Sequence, residues 1–181
     1  MKCYVFATDE ATLDLCVWSL ERNGWEVVVY QDDTSLWAKL KRLYNEAEDG
    51  FARVDADVIV NRDFAPDKLT TVPTVWWLQY CTFDWYKQNV TTGGAHVISY
   101  EALPALRYNI GTYETSERPE SQMYRIEEFY NPRRCETVNQ IVGIHGYGIK
   151  DIDDVEATKQ RRNQLEAYDF ELTRRLNELL K

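Results

Sequence analysis

Residues 51–61 (FARVDADVIVN) constrain the chain more than any other stretch, because they read as a buried strand yet carry two carboxylates. Along an extended backbone the side chains alternate between faces. Ala52, Val54, Ala56, Val58 and Val60 therefore form one apolar row, and Phe51, Arg53, Asp55, Asp57 and Ile59 form the other. Asp55 and Asp57 then point the same way, about 6.5 Å apart at the backbone. Two flexible carboxylates can close that gap around one divalent cation, directly or through water. Without a cation they repel, and one pKa rises. On the solvated face of an antiparallel strand such a pair would carry no meaning. Two helix-like segments precede this strand, however, and a strand covered on both faces leaves its charges only the crevice at its carboxyl end.

The preceding residues supply those segments. Residues 2–7 are a short apolar run ending at Thr8-Asp9-Glu10, where Thr8 or Asp9 is the expected cap of a helix carrying Leu13, Cys16, Val17 and Leu20. Asn23-Gly24 stops that helix. Residues 25–30 read as a second strand, and the polar loop 31–35 supplies N-caps for a second helix through Leu36, Leu40, Leu43 and Ala47. This β-α-β-α-β order predicts an α/β fold with a parallel sheet and right-handed crossovers. Its functional loops are 8–10, 31–35 and 55–61, all after strands.

Beyond Pro66 and Pro73, residues 74–86 read as a strand dense in aromatics, most of them for the core. Trp76, Trp77, Tyr80 and Trp85 cannot all face inward from one strand, which leaves one or two to line a cleft where sugar or base rings stack. Gly93 and Gly94 open a strand over residues 91–99, and residues 101–106 are expected to be helical. A loop at 116–122 leads into a helix over 122–130 that ends at Asn131-Pro132. A further strand, 136–144, delivers His145 between glycines at its end, well placed to complete a metal site. His96 lies in an apolar run, where a packed, hydrogen-bonded imidazole is expected. Leu165, Tyr168, Leu172, Leu176 and Leu179 describe a long amphipathic C-terminal helix against the body of the domain or a second copy.

At 181 residues the chain fits one domain, 1–150, with 151–181 as the appended helix. A net charge of −9 argues against a nucleic-acid backbone or anionic lipid as the main partner. The opening residues have too short an apolar run for a signal peptide and no window approaches a membrane span, so a cytoplasmic location is expected. Cys3, Cys16, Cys81 and Cys135 lack C-x-x-C spacing, and neither a zinc site nor a disulfide framework is indicated.

Taken in order, these parts resemble a small GT-A-type glycosyltransferase, the nucleotide-sugar-dependent fold with a D-x-D motif. The resemblance spans residues 2–150. Its elements are the opening strand with a polar end (Phe6-Ala-Thr-Asp9), the helix carrying Lys39, residues 53–61 with Asp55 and Asp57, Gly93-Gly94, the acidic loop 119–122, and the late histidine. It implies a single-domain, Rossmann-like GT-A fold with a mostly parallel mixed sheet flanked by helices. It implies Mn2+ or Mg2+ held by Asp55, Asp57 and His145 on the diphosphate of a nucleoside diphosphate sugar, whose departure the cation would assist. Ala7, Thr8, Asp9 and Asp33 would border the nucleoside. Lys39, Arg53 and Lys150 would reach the diphosphate or sugar, and Gly93 and Gly94 would lie beside donor sugar and acceptor. An inverting member needs a carboxylate base, for which Glu120 occupies the matching loop and Glu117 is its neighbour.

The chain is shorter than most such enzymes, in the region that usually binds the acceptor. Two other readings compete. A nucleotidyltransferase that makes nucleotide sugars would carry a glycine-rich basic loop after the first strand, where this chain has Ala7-Thr-Asp-Glu-Ala11. A non-catalytic sugar- or nucleotide-binding protein would lack a metal ligand, and none is missing from the pattern.

Overall fold

The computed structural model describes residues 1–10, 12–69, 75–85, 88–113, 124 and 134–146. The expected helix at 122–130 (Tyr124 excepted), the C-terminal helix, Glu117, Glu120 and Lys150 lie outside the described residues. The chain runs β1 (Lys2–Ala7), α1 (Leu13–Glu21), β2 (Glu26–Gln31), α2 (Leu36–Glu46), β3 (Phe51–Asp55), β4 (Val58–Val60), β5 (Trp77–Asp84), β6 (Asn89–Ile98), α3 (Leu103–Asn109) and β7 (Cys135–His145). Short 3-10 turns flank α3 at Tyr100–Ala102 and Ile110–Tyr113.

The seven strands form one mixed sheet in the order β2-β1-β3-β6-β5-β7-β4. β1 pairs parallel with both β2 and β3, in register Ala7 with Gln31 and Phe6 with Asp55, so the loops after all three strands leave the sheet at one edge. β6 joins β3 and β5 antiparallel, β7 lies parallel to β5, and β4 closes the far edge antiparallel to β7.

The alternation read from the sequence sorts side chains onto two cores. Tyr4, Phe6, Tyr30 and Phe51 pack with Leu40, Leu43 and Tyr44 of α2 and Leu103 and Leu106 of α3 on one face. Cys3, Val5, Ala52, Val54, Ala56, Val58 and Val60 pack with Cys16 and Leu20 of α1 on the other. Ser35 caps α2, accepting the Ala38 N–H at 3.2 Å. At α1 the N-cap position belongs to Thr12, not to Thr8 or Asp9, and its hydroxyl makes no capping bond. It donates to the Ala56 carbonyl at 3.1 Å instead, a tertiary contact that outcompetes the local one.

Residues 51–61 do not form one strand. The partners of β3 run out together at Asp55: β1 is paired up to Phe6, and β6 leaves register beyond Ala95. Ala56 and Asp57 make a turn, and residues 58–60 cross to the other end of the sheet to pair with β7. There Gly143 faces β4 so closely that a Cβ would meet the Ile59 carbonyl oxygen at 2.5 Å. Nor do the paired glycines open a strand, since Gly93 and Gly94 sit inside β6. Both have positive φ, +113° and +77°, opposite the irregular step between Gln79 and Cys81 of β5. Such a bulge needs residues that tolerate this backbone. Trp77, Tyr80 and Trp85 are all buried, because β5 lies inside a sheet covered on both faces. Trp76 is half-buried, and the Arg134 guanidinium lies 3.7 Å from its ring centre. None of these rings is left bare for stacking.

Candidate functional site

The break after Asp55 leaves backbone groups outside the regular ladder, and one side of α1, with the residues at its two ends, meets them. Thr12 donates to the Ala56 carbonyl, the Cys16 thiol lies 3.6 Å from the Asp55 carbonyl oxygen, the Ser19 hydroxyl accepts the Val60 N–H at 3.0 Å, and the Asn23 amide donates to the Asn61 carbonyl. Positions 12, 16, 19 and 23 follow the spacing of one helix face. An all-apolar face would leave these buried groups unpaired, at a cost of about 1–3 kcal/mol each. On the opposite side of the turn, Gly146 N–H donates to the Asp57 carbonyl at 2.9 Å, and Trp85 N–H to the His145 carbonyl at 2.9 Å. Backbone bonds thus hold Asp57 and His145 against each other.

The two aspartates separate in role. Asp55 Oδ1 is 3.1 Å from Nη1 of Arg53, which is itself 3% exposed, while the Asp55 side chain is about one-third exposed. The guanidinium also lies over the Phe6 ring. Asp57 is more enclosed, at 17% exposure, and its Oδ2 is 3.2 Å from Nε2 of His145. Burial pushes the Asp57 carboxyl up to about 6. His145 opposes the rise, while Asp55 and Glu10 add to it. Asp84, buried at the end of β5, places its Oδ2 3.5 Å from Nδ1 of the same imidazole. One ring thus lies between two carboxylates. A Cβ on Gly94 would stand 3.5 Å from His145 Cδ2 and 3.8 Å from Asp55 Oδ2, so the absence of a side chain there keeps open the space these groups border.

The structure therefore brings Asp55, Asp57, His145 and Gly94 together. Gly93 has nothing within 4 Å of its Cβ position. Ala7 ends β1, Thr8 N–H donates to Glu10 Oε2 at 2.6 Å, and Asp33 is exposed in the loop after β2. Asp9 is exposed between them. Lys39 is buried, and its ammonium donates to the Ala7 and Asp32 carbonyls at 2.6 and 2.8 Å, with Asp32 Oδ1 at 3.7 Å. These contacts tie the ends of β1 and β2 together, so the charge of Lys39, like that of Arg53, is engaged within the fold. His96 is a core residue: Trp77 Nε1–H donates to its Nδ1 at 3.0 Å, and burial, reinforced by Arg53, holds its pKa well below the usual histidine range.

Asp84 escaped the sequence reading, because it stands in the aromatic run 74–86 with no local pattern that marks it. Glu10 lies in the expected functional loop 8–10, but nothing in the sequence gives it a role of its own. The polar stripe of α1 left a trace in the small polar residues at 12, 16, 19 and 23.

Among the described residues, no three His, Cys, Asp or Glu side chains group tightly enough to enclose a metal ion unaided. The donor pair Asp57 Oδ2 and His145 Nε2 nevertheless fits a small divalent cation. Two ligands at right angles around an ion with bonds of about 2.1 Å stand about 3 Å apart. Such ions are also commonly held by one or two carboxylates plus substrate phosphates and water.

No protein-family model and no curated protein matches the sequence. Solved structures do match in shape. A glycosyltransferase involved in the glycosylation of the major capsid of PBCV-1 aligns with a TM-score of 0.52 at 13% identity, over 90% of this chain and 100% of that one. A putative glucose-1-phosphate thymidylyltransferase from Bacillus anthracis, solved in complex with a sucrose, aligns with a TM-score of 0.52 at 10% identity, over 90% of this chain and 94% of that one. No helix among the described residues is long and apolar enough to cross a membrane. At these identities the likeness resides in the backbone, and it gives the chain the Rossmann-like GT-A fold common to glycosyltransferases and sugar nucleotidyltransferases.

Proposed function

We propose that the chain is a glycosyltransferase that moves a sugar from a nucleoside diphosphate sugar to an acceptor hydroxyl, with Mn2+ or Mg2+ held by Asp57 and His145. One observation carries the reading: His145 Nε2 and Asp57 Oδ2 stand 3.2 Å apart, although 88 positions separate them in sequence. In the reaction the bond from the sugar to the diphosphate breaks, a bond from the acceptor oxygen to the same carbon forms, and the acceptor proton passes to a base. Glu120, with Glu117 beside it, is the base this reading assigns. The cation supplies charge for the departing diphosphate. Asp55 completes the anionic rim, and Arg53 fixes its carboxylate.

The nucleoside would lie against Ala7, Thr8, Asp9 and Asp33 at the edge where the parallel strands end, the usual place for ligands on such sheets. Gly93 and Gly94 leave room for the donor sugar, and Lys150 is assigned to the diphosphate. Lys39 shapes this edge from below. The loop after β1 is acidic, with Asp9 and Glu10, which disfavours nucleotidyl transfer from a nucleoside triphosphate.

The test is a thermal-shift and calorimetric screen of nucleoside diphosphates and their sugars, with Mn2+ and with excess chelator. Cation-dependent binding is expected, worth about 2.7 kcal/mol of added stability at a hundredfold excess over Kd. Equal binding in chelator overturns the cation site. Release of pyrophosphate from a nucleoside triphosphate and sugar phosphate would identify a nucleotidyltransferase instead, and binding without turnover of any donor a non-catalytic protein.

A further inference from the structure

We infer that Asp84 is the positioning residue for His145: its carboxylate accepts the hydrogen bond of Nδ1–H and so presents the Nε2 lone pair to the cation held with Asp57. The inference rests on the cation site proposed above and adds to it a residue that touches neither cation nor substrate.

A neutral imidazole carries one N–H. If Nε2 gives its lone pair to a cation, the proton must sit on Nδ1 and needs an acceptor there. In this structure Nδ1 is sealed from water and makes no hydrogen bond. The carboxylate facing it is Asp84, with Oδ2 at 3.5 Å, an ion-pair distance rather than a formed hydrogen bond. With Nε2 turned to Asp57 at 3.2 Å, the ring leans towards the carboxylate that shares the cation. With a cation at Nε2 the ring proton would sit on Nδ1, the atom that faces Asp84.

The fold makes this contact rigid. Asp84 is the last residue of β5 and stands in register with His145 on parallel β7. Paired residues on adjacent strands put their side chains on the same face, about 4.8 Å apart at the backbone. Asp84 is only 3% exposed, so the surrounding packing holds its carboxylate in place beside the ring. A carboxylate behind a metal-bound histidine fixes the tautomer and raises the basicity of the ligand.

The test measures Mn2+ uptake by the full chain from the EPR signal of free Mn2+, without turnover. Asp84→Leu keeps the side-chain size and removes the acceptor. It is expected to weaken Mn2+ binding about 10- to 100-fold, the range for loss of such a partner. In a His145→Ala background the same change should cost nothing further, because Asp84 acts only through the ring. Asp84→Asn keeps a neutral acceptor and is expected to lose about two- to fivefold, since a charge-assisted bond is about twice as strong. If Asp84→Leu does not fold, the Asn variant and its cycle with His145→Ala carry the test. Unchanged affinity in the folded variants, or an equal loss with and without His145, overturns the role of Asp84 alone. Wild-type protein that takes up no Mn2+, alone or with a nucleoside diphosphate added, overturns the cation site, and this role with it.

Discussion

The region around His96 and the region around His145 treat their polar groups in opposite ways. Around His96, on β3, β5 and β6, the charged and ring groups are paired: Trp77 donates to the imidazole, and the buried guanidinium of Arg53 pairs with Asp55 and lies over Phe6. Around His145, on β5, β7 and the turn after β3, two carboxylates face one half-buried ring. There burial holds the carboxyl of Asp57 far above its ordinary range. The two halves of the D-x-D motif fall on opposite sides of this divide. A region whose groups satisfy one another serves stability, whereas one left with surplus negative charge is suited to a ligand that brings positive charge.

The largest expected effect separates the two histidines. His96→Ala leaves the Trp77 indole N–H unpaired and opens a cavity, and should destabilise the chain by roughly 2–4 kcal/mol in urea unfolding. His145→Ala should change stability by less than about 1 kcal/mol, as for partly exposed sites, while weakening Mn2+-dependent binding. Equal stability losses for the two would erase the distinction.

Gly94→Ala probes the border between the regions. The added methyl meets Val58 Cγ2 at 2.8 Å from a backbone at φ +77°, and should cost roughly 1–3 kcal/mol by strain and overpacking. It also fills the space beside His145 and Asp55, so cation-dependent binding should fall. Gly93→Ala has open space at its Cβ position and should show the backbone strain with a smaller loss of cation-dependent binding than Gly94→Ala. Matching binding losses in both variants would remove Gly94 from the site.

The aspartates should respond with opposite signs. Asp55→Asn weakens the partner of a buried guanidinium and should destabilise by about 1–2 kcal/mol, less than a fully buried pair because Asp55 is partly solvated. A chemical-denaturation midpoint at or above wild type would show that Arg53 does not depend on it.

Asp57→Asn should stabilise the chelated protein at neutral pH. Its folded pKa, about 6, lies above the usual aspartate value. The native state therefore favours the protonated carboxyl, and this contribution is fully present below about pH 4 and is lost as pH rises through 6. The melting temperature of wild type should fall relative to Asp57→Asn between pH 4 and 7, by the equivalent of about 1 kcal/mol once the remaining solvent exposure is discounted. A constant difference across that range would mean that burial does not strain this carboxyl.

Much of this arrangement is legible in the sequence. The apolar row Ala52, Val54, Ala56, Val58 and Val60 falls as expected on one core with Phe51 on the other, and the β-α-β-α-β order brings residues 8, 33 and 55 to one sheet edge. The expected juxtaposition of His145 with residue 57 needed the family resemblance as well, because no spacing in the chain implies it. The single strand over 51–61 was wrong because alternation records which face a side chain takes, not which neighbour its backbone finds. A row that alternates without interruption hid a turn at residues 56 and 57.

What the sequence determined by itself is therefore local. It includes the faces of each element, the Ser35 cap, the interior setting of His96 and the concentration of carboxylates after β3. Only the tertiary structure decided that β3 ends at Asp55, that residues 58–60 cross to β7, that Lys39 and Arg53 turn inward, and that Asp84 stands behind His145. Each of these depends on backbone pairing between segments far apart in the chain. Such pairing is selected by the joint burial of two faces and the satisfaction of every stranded N–H and C=O, which no single segment contains.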